Sequence, residues 1–270
     1  MRMGNNQLNK KELETIRAQV REKLILYCKF NEVIGTQIFN ILEKESKVLY
    51  YPLEDQNVWG FSEIIKDKEF VCINTSLSYE KQVFAAAHEL YHLWYGSSGE
   101  VMLSENMQEL DADKDVELFA NRFAAEFLID EQLLLQEMKV YEIDKDNMEI
   151  KDVVRLANIF VVPYRTMVRR LHEIGVFKGK KYNQFIGICD EQIDIWKKRL
   201  GLFEPVRKEN IGLSNLIDLS MELYEKKLIT FDKLEYLLEL SELTPEEMGI
   251  RKESEYQPPS DDELDAIMEE

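Results

Sequence analysis

The segment QVFAAAHELYHLWYG contains two histidines, His88 and His92, four positions apart around a glutamate, Glu89. On a helix, residues four apart lie on one face, so both imidazoles can reach one ion. Imidazole nitrogen suits zinc and its neighbours in the first transition row. Glu89 is then the adjacent carboxylate, placed to take a proton from a water at the metal. This spacing matches metal-assisted hydrolysis of a peptide bond. The bland alternative is a pair of surface histidines on an amphipathic helix. The chain has only three histidines, and two of them fall at the required spacing, which favours the metal.

A hydrolytic zinc needs three protein ligands and one open position. The third histidine, His172, sits among Arg169, Arg170 and Glu173 and reads as a surface residue. Glu117, in DVELFANRFAAEFLI, is the better candidate. It shares a helical face with Ala120, Asn121, Ala124 and Leu128, where an unpaired carboxylate is costly and a metal would satisfy it. Phe119, Phe123 and Phe127 form the neighbouring stripe and read as core. Asp111, Asp113 and Asp115 are rivals, but acids at a helix start are explained by the helix dipole.

The elements needed to position these groups are legible. Leu13, Ile16, Val20, Leu24 and Cys28 recur at helical spacing over residues 10–28. KVLYYPL, VWGFSEII and EFVCIN, within 47–74, are β-branched and aromatic and predict a small antiparallel sheet. Ser78 is placed to cap the next helix, which should run to Tyr95 and stop at Gly96. An acidic loop is expected from Ser97 to Glu109. A helix over 111–129, another from Glu131 and a polar connection at 141–150 follow. Residues 151–175 read as two short helices joined at VVP. Lys178–Asn183 is basic, contains glycine and reads as a linker. Thr244-Pro245-Glu246-Glu247 carries a capping box, and the acidic tail from Glu255 reads as solvated.

Composition narrows the classes. The 270 residues are 45% apolar with a formal charge of −18, which argues for a folded core and against non-specific binding to nucleic acid or anionic membranes. Cys28, Cys72 and Cys189 match neither a zinc knuckle nor a disulfide framework. The residues before Leu13 lack the apolar stretch of a secretory signal, so a cytoplasmic location is expected. No run is long enough to span a bilayer. LANIFVVPYRTMVRRLHEIG has the length of a helix-turn-helix, and Arg165, Arg169 and Arg170 could meet phosphates. The negative charge of the chain favours a packing module instead, so no direct nucleic-acid binding is expected.

Three segments together resemble the ImmA/IrrE metallo-endopeptidases. The first is the strand ending in Ile73-Asn74, followed by a Ser-containing turn and AAHELYH. The second is Glu117-Leu118-Phe119-Ala120-Asn121-Arg122-Phe123-Ala124-Ala125, and the third is VVRLANIFVVPYRTMVRRLHEIG. The resemblance spans about 10–178. It implies His88, His92 and Glu117 as metal ligands and Glu89 as the catalytic residue. Two positions depart from the family pattern. Tyr91 stands where glycine is common, and LID at 128–130 replaces the usual Met-Pro.

The expected fold is α+β: a zincin-like core over 1–140, a small helix-turn-helix-like segment over 141–180, and a helical region with an acidic tail over 181–270. The expected cofactor is one Zn2+ per chain, with Mn2+ compatible with the same ligands. The resemblance implies site-specific cleavage of a regulatory protein such as a helix-turn-helix transcriptional repressor. A non-proteolytic metal-binding module that sequesters such a regulator is the alternative, and it would have no need of Glu89. Phe70–Ile73 is expected to offer an edge to an extended peptide. Tyr91, Tyr95 and Tyr164 are unranked candidates to stabilise an oxyanion.

Overall fold

In the computed structural model, the described residues are 8–29, 31–65, 68–96, 101–103, 113–202, 212–241 and 243–251. They divide into two units, Met1–Ser214 and Asn215–Glu270.

The first unit opens with α1 (Lys10–Leu26), where Asn9 and Glu12 form a reciprocal capping box. Its buried residues, Ile16, Val20 and Leu24, fall on the predicted stripe, with Leu13 half-buried, but Cys28 lies beyond the helix end, exposed and at a φ of 55°. Helix α2 (Ile38–Glu45) leads into β1 (Lys47–Tyr51), β2 (Val58–Ile65) and β3 (Lys68–Asn74). Then come α3 (Tyr79–Tyr95), β4 (Val101–Leu103), α4 (Asp113–Leu128) and α5 (Glu131–Val140). Helices α6 (Ile150–Phe160), α7 (Tyr164–Glu173), α8 (Lys180–Ile186) and α9 (Asp190–Arg199) precede a two-residue strand, β5 (Gly212–Leu213).

The fold is α+β, but the sheet is mixed rather than wholly antiparallel. Its order is β4-β2-β3-β1-β5. β2 and β3 form an antiparallel hairpin, whereas β1 pairs parallel to β3, with Val48 opposite Val71 and Tyr50 opposite Ile73. The parallel pair arises because the chain crosses the end of β3 between β1 and β2. Asn74 secures that crossing. Its Oδ1 accepts from Leu53 N at 3.0 Å, and its Nδ2 donates to Val58 O at 2.7 Å and Asp55 O at 3.2 Å. One buried amide thus ties both ends of the six-residue loop to the end of β3.

β3 therefore lies inside the sheet, paired on both sides, and cannot accept an added strand. The expectation that Phe70–Ile73 would be an edge is corrected: among the described residues the edges are β4 and β5. Three residues of the expected acidic loop form β4 on β2, and the rest of that loop lies outside the described residues.

Helix α3 packs between the sheet and α4, and every residue from Gln82 to His92 is buried. Its far side meets an aromatic layer in which Phe123 and Phe127 stack at 5.3 Å and Trp94 stands edge-on to both. Behind α4, α6 and α7 form the two short helices joined at VVP. Arg170 is 1% exposed, with Nη2 2.5 Å from Glu126 and Nε donating to Ile129 O at 3.0 Å. It is a packing residue and faces no solvent from which a phosphate could approach. Arg165 pairs with Asp190 on α9.

The stretch read as a linker, 178–183, is instead helical from Lys180. Its basic residues are solvent-facing, while Phe185 beyond them and Ile193 on α9 are buried in the common core. Ser214 then closes on β1, donating from its backbone to Val48 O at 2.8 Å.

The second unit holds α10 (Leu216–Glu225) and α11 (Phe231–Glu239), with Thr230 capping α11 and Leu234 and Leu238 buried. The Thr244–Glu247 capping bonds form, but around a turn rather than a helix. The acidic tail from Glu255 lies outside the described residues. Among the described residues no helix is long and apolar enough to cross a membrane.

Candidate metal centre

Two helices packed on one another, α3 and α4, carry the candidate site. The predicted α3 starts after Ser78 and ends before Gly96, as expected. Gly96 nevertheless serves a different purpose from a left-handed cap, since its φ is −99°. A Cβ there would stand 3.0 Å from both Cα and Nδ1 of His92. The glycine leaves room for the imidazole.

His88 and His92 present their Nε2 atoms 3.0 Å apart. Glu117 spans them from α4, with Oε2 3.2 Å from His88 Nε2 and Oε1 3.2 Å from His92 Nε2. One ligand atom from each of the three residues lies within 4.8 Å of the others. Tetrahedral ligands held about 2.0–2.1 Å from zinc stand roughly 3.3–3.4 Å from one another. These separations, and a donor set of two imidazoles and one carboxylate, fit a metal ion with a position left open. His88 and His92 are buried, whereas the Glu117 side chain is 27% exposed.

Electrostatics support the same reading. Burial pulls the pKa of His88 below its ordinary value, against the opposing pull of Glu117. A neutral imidazole is the ligand form. Burial pushes Glu117 up, but hydrogen bonds and charge from both imidazoles outweigh it and bring the carboxyl down to about 2. Asn121, one turn beyond Glu117, places Oδ1 3.2 Å from Nδ1 of His88.

Glu89 is fully buried, on the sheet side of α3. Gly60 of β2 lies over it: a Cβ there would come within 3.4 Å of Oε1 and 3.0 Å of Cys72 O. Gly60 also sits at the irregularity in the β2–β4 pairing. Cys72, on β3, is pushed up to about 11, first by burial and then by the charge of Glu89, and so stays a thiol at neutral pH.

The remaining candidates are elsewhere. His172 places Nδ1 3.1 Å from Phe177 O and stacks on Tyr182, away from the group. Asp111 lies outside the described residues, and so do the side chains of Asp113 and Asp115 at the start of α4. Tyr91 and Tyr95 turn their rings toward Phe123 in the α3–α4 layer. The bulk of Tyr91 is thus absorbed by the core. Tyr164 lines a separate cavity of about 880 Å3 with Trp59 and Ile193.

Two contributors were not singled out from sequence. Asn121 had a signal, its place four residues after Glu117. Gly60 had none, because its value depends on which helix the sheet packs against.

The family model described as the IrrE N-terminal-like domain, a peptidase family, matches residues 43–172. That span contains His88, Glu89, His92 and Glu117. No curated protein matches the chain.

Proposed function

Because the chain belongs, through residues 43–172, to the ImmA/IrrE family of metallopeptidases, we propose that it is a zinc-dependent endopeptidase that cuts a regulatory protein at a specific site. The observation that carries this reading is the convergence of His88, His92 and Glu117 beside the buried Glu89.

In this reading His88, His92 and Glu117 hold the metal. A bound zinc supplies Lewis acidity, lowering the pKa of water and polarising a carbonyl oxygen. The Glu89 carboxylate takes the proton of the attacking water and delivers it to the departing amine. Asn121 orients His88, and Gly60 and Gly96 leave Glu89 and His92 their space.

The substrate we propose is a cytoplasmic transcriptional repressor of the helix-turn-helix type, by analogy with the family. Neither direct contact with nucleic acid nor attachment to a membrane is part of the proposal. The region from residue 181 onward is proposed to select that substrate.

The experiment pairs metal analysis with cleavage. Wild-type protein should carry about one zinc per chain. Glu117→Ala should lose it far more readily than Asp115→Ala. Glu89→Gln should keep fold and zinc but cut no substrate. Equal zinc retention by the two α4 variants would remove Glu117 from the site. Turnover by Glu89→Gln would remove the assigned base.

A further inference from the structure

Residues 215–270, the second unit, hold 17 acidic residues against 5 basic, a net −12 of the chain's −18. The residues before them carry only the remaining −6. Apolar side chains are exposed in the same short stretch. Of the ten large ones exposed among the described residues, four fall between Leu219 and Tyr236, a cluster rather than a scatter.

Helix α10 sorts these features into stripes. Ser220 is buried, and Tyr224, one turn on, stands edge-on to Phe231 of α11 at 6.2 Å, so this face meets α11. Leu219 and Leu223 each precede one of that pair in the chain and so lie about 100° round the helix. They are 41% and 36% exposed. Asp218, Glu222 and Glu225 follow on the far side of these leucines from Ser220, all exposed, with Glu222 joined to Lys226. An apolar stripe and an acidic stripe thus run side by side, and neither faces α11. Helix α11 adds a second exposed acidic stripe, Asp232, Glu235 and Glu239.

Charge decides among the occupants of such a face. The first unit and a second copy of this chain are both net negative, and like charge opposes their approach. A cationic partner is attracted. A helix with leucines on one face and lysine or arginine beside them matches both stripes at the same helical spacing.

We propose that α10 docks a cationic amphipathic helix of the substrate protein. Its apolar face covers Leu219 and Leu223, and its basic side chains meet Asp218, Glu222 and Glu225. Docking of this kind raises the effective concentration of the segment to be cut. The proposal rests on the peptidase reading only for calling the partner a substrate, and docking can be measured without catalysis.

The probe is a dye-labelled peptide of leucine and lysine patterned as an amphipathic helix. Beside it stand a scrambled peptide of the same composition and a leucine–glutamate peptide of the same pattern. Binding is read by fluorescence anisotropy on full-length, zinc-loaded Glu89→Gln protein. The patterned cationic peptide should bind about ten-fold tighter than its scramble, and the acidic one should not bind. Its affinity should fall as NaCl rises. Leu219→Gln/Leu223→Gln and, separately, Asp218→Asn/Glu225→Gln should each weaken it about ten-fold. Ile195→Gln, which removes an exposed apolar side chain of α9, should change nothing. These are surface substitutions with little leverage on folding, which circular dichroism checks. Equal binding of the scramble overturns the proposal, because charge alone then suffices, as does an affinity that either double variant retains. A dimer in sedimentation that Leu219→Gln/Leu223→Gln dissolves also overturns it, because the stripe then serves a second copy. A protein that docks the peptide yet cuts no repressor keeps the docking face and loses the peptidase reading. Cleavage of a repressor at full rate by both double variants, each made with Glu89 intact, keeps the peptidase and removes the docking face.

Discussion

Oδ1 of Asn121 lies 3.2 Å from Nδ1 of His88, on the opposite side of the ring from the Nε2 that faces Glu117. With the amide oriented this way, Nδ1 carries the proton and donates it, which leaves Nε2 as a lone pair aimed at the metal position. A ligand histidine whose second nitrogen is held in this manner is fixed in both tautomer and rotation. The link also ties α3 to α4 at the point where the candidate ligands meet.

Asn121→Ala should therefore lower zinc affinity by about 10- to 100-fold without unfolding the protein. Asn121→Asp, which keeps an acceptor, should recover most of that loss. Competition with a chromophoric chelator measures both. An unchanged affinity in the alanine variant would mean that the amide does not orient the imidazole.

Gly60 and Gly96 should separate base from ligand. Gly60→Ala brings a methyl group within 3.4 Å of Glu89 Oε1 and 3.0 Å of Cys72 O, so the strand or the carboxylate must shift. Turnover should drop while zinc content stays near one per chain. Gly96→Ala instead crowds His92 Nδ1 at 3.0 Å, and zinc affinity should fall. Metal analysis beside a cleavage assay distinguishes the two; the same loss of zinc in both would refute the division.

The Glu126 cluster should govern acid stability. Burial raises the carboxyl, but the charges of Arg170 and Arg122 outweigh it and hold the pKa below the ordinary carboxylate value. A group depressed in the folded state contributes stability above its unfolded value of about 4.3, and that contribution is lost as pH falls through the folded value. Glu126→Ala should cost about 3–5 kcal/mol near pH 7, because the buried Arg170 loses its close carboxylate partner and keeps only Glu173 at 3.6 Å. The melting temperature of the wild type should fall more steeply than that of the variant below pH 4. Parallel curves would show that Glu126 is not a source of the acid sensitivity.

Truncation should distinguish two positions in the chain. A protein ending at Lys181 loses Phe185 and Ile193 from the core and β5 from the edge of β1, and should aggregate. One ending at Ser214 keeps these contacts and should melt cooperatively with its zinc in place. If removal of 215–270 also leaves cleavage of a candidate repressor unchanged in rate and site, that segment does not select the substrate.

The candidate metal group of this chain was legible from spacing. A 3.6-residue period puts His88 and His92 on one face whatever surrounds them, and it puts Glu117 on a face of small residues where only a partner can justify a carboxylate. The extents of α1, α3, α6 and α7 followed to within about two residues from the same helical period, although Ser78 makes no side-chain cap to α3. Long-range placement was a different matter. Which strand lies inside the sheet depends on a chain crossing held by Asn74, a residue sixteen positions from Val58 and twenty-one from Leu53. The helix over 180–186 carries basic residues that read as a linker, and only the burial of Phe185 and Ile193 against distant elements reveals its role. Gly60 and Gly96 look like ordinary strand and helix-end glycines until Glu89 and His92 are seen against them. Local spacing is sufficient to choose the candidate histidines because one helix turn sets their geometry, whereas Glu117 joins them only through the packing of α4 on α3. The room, the tautomer and the charge around them come from elements that meet only when the core closes.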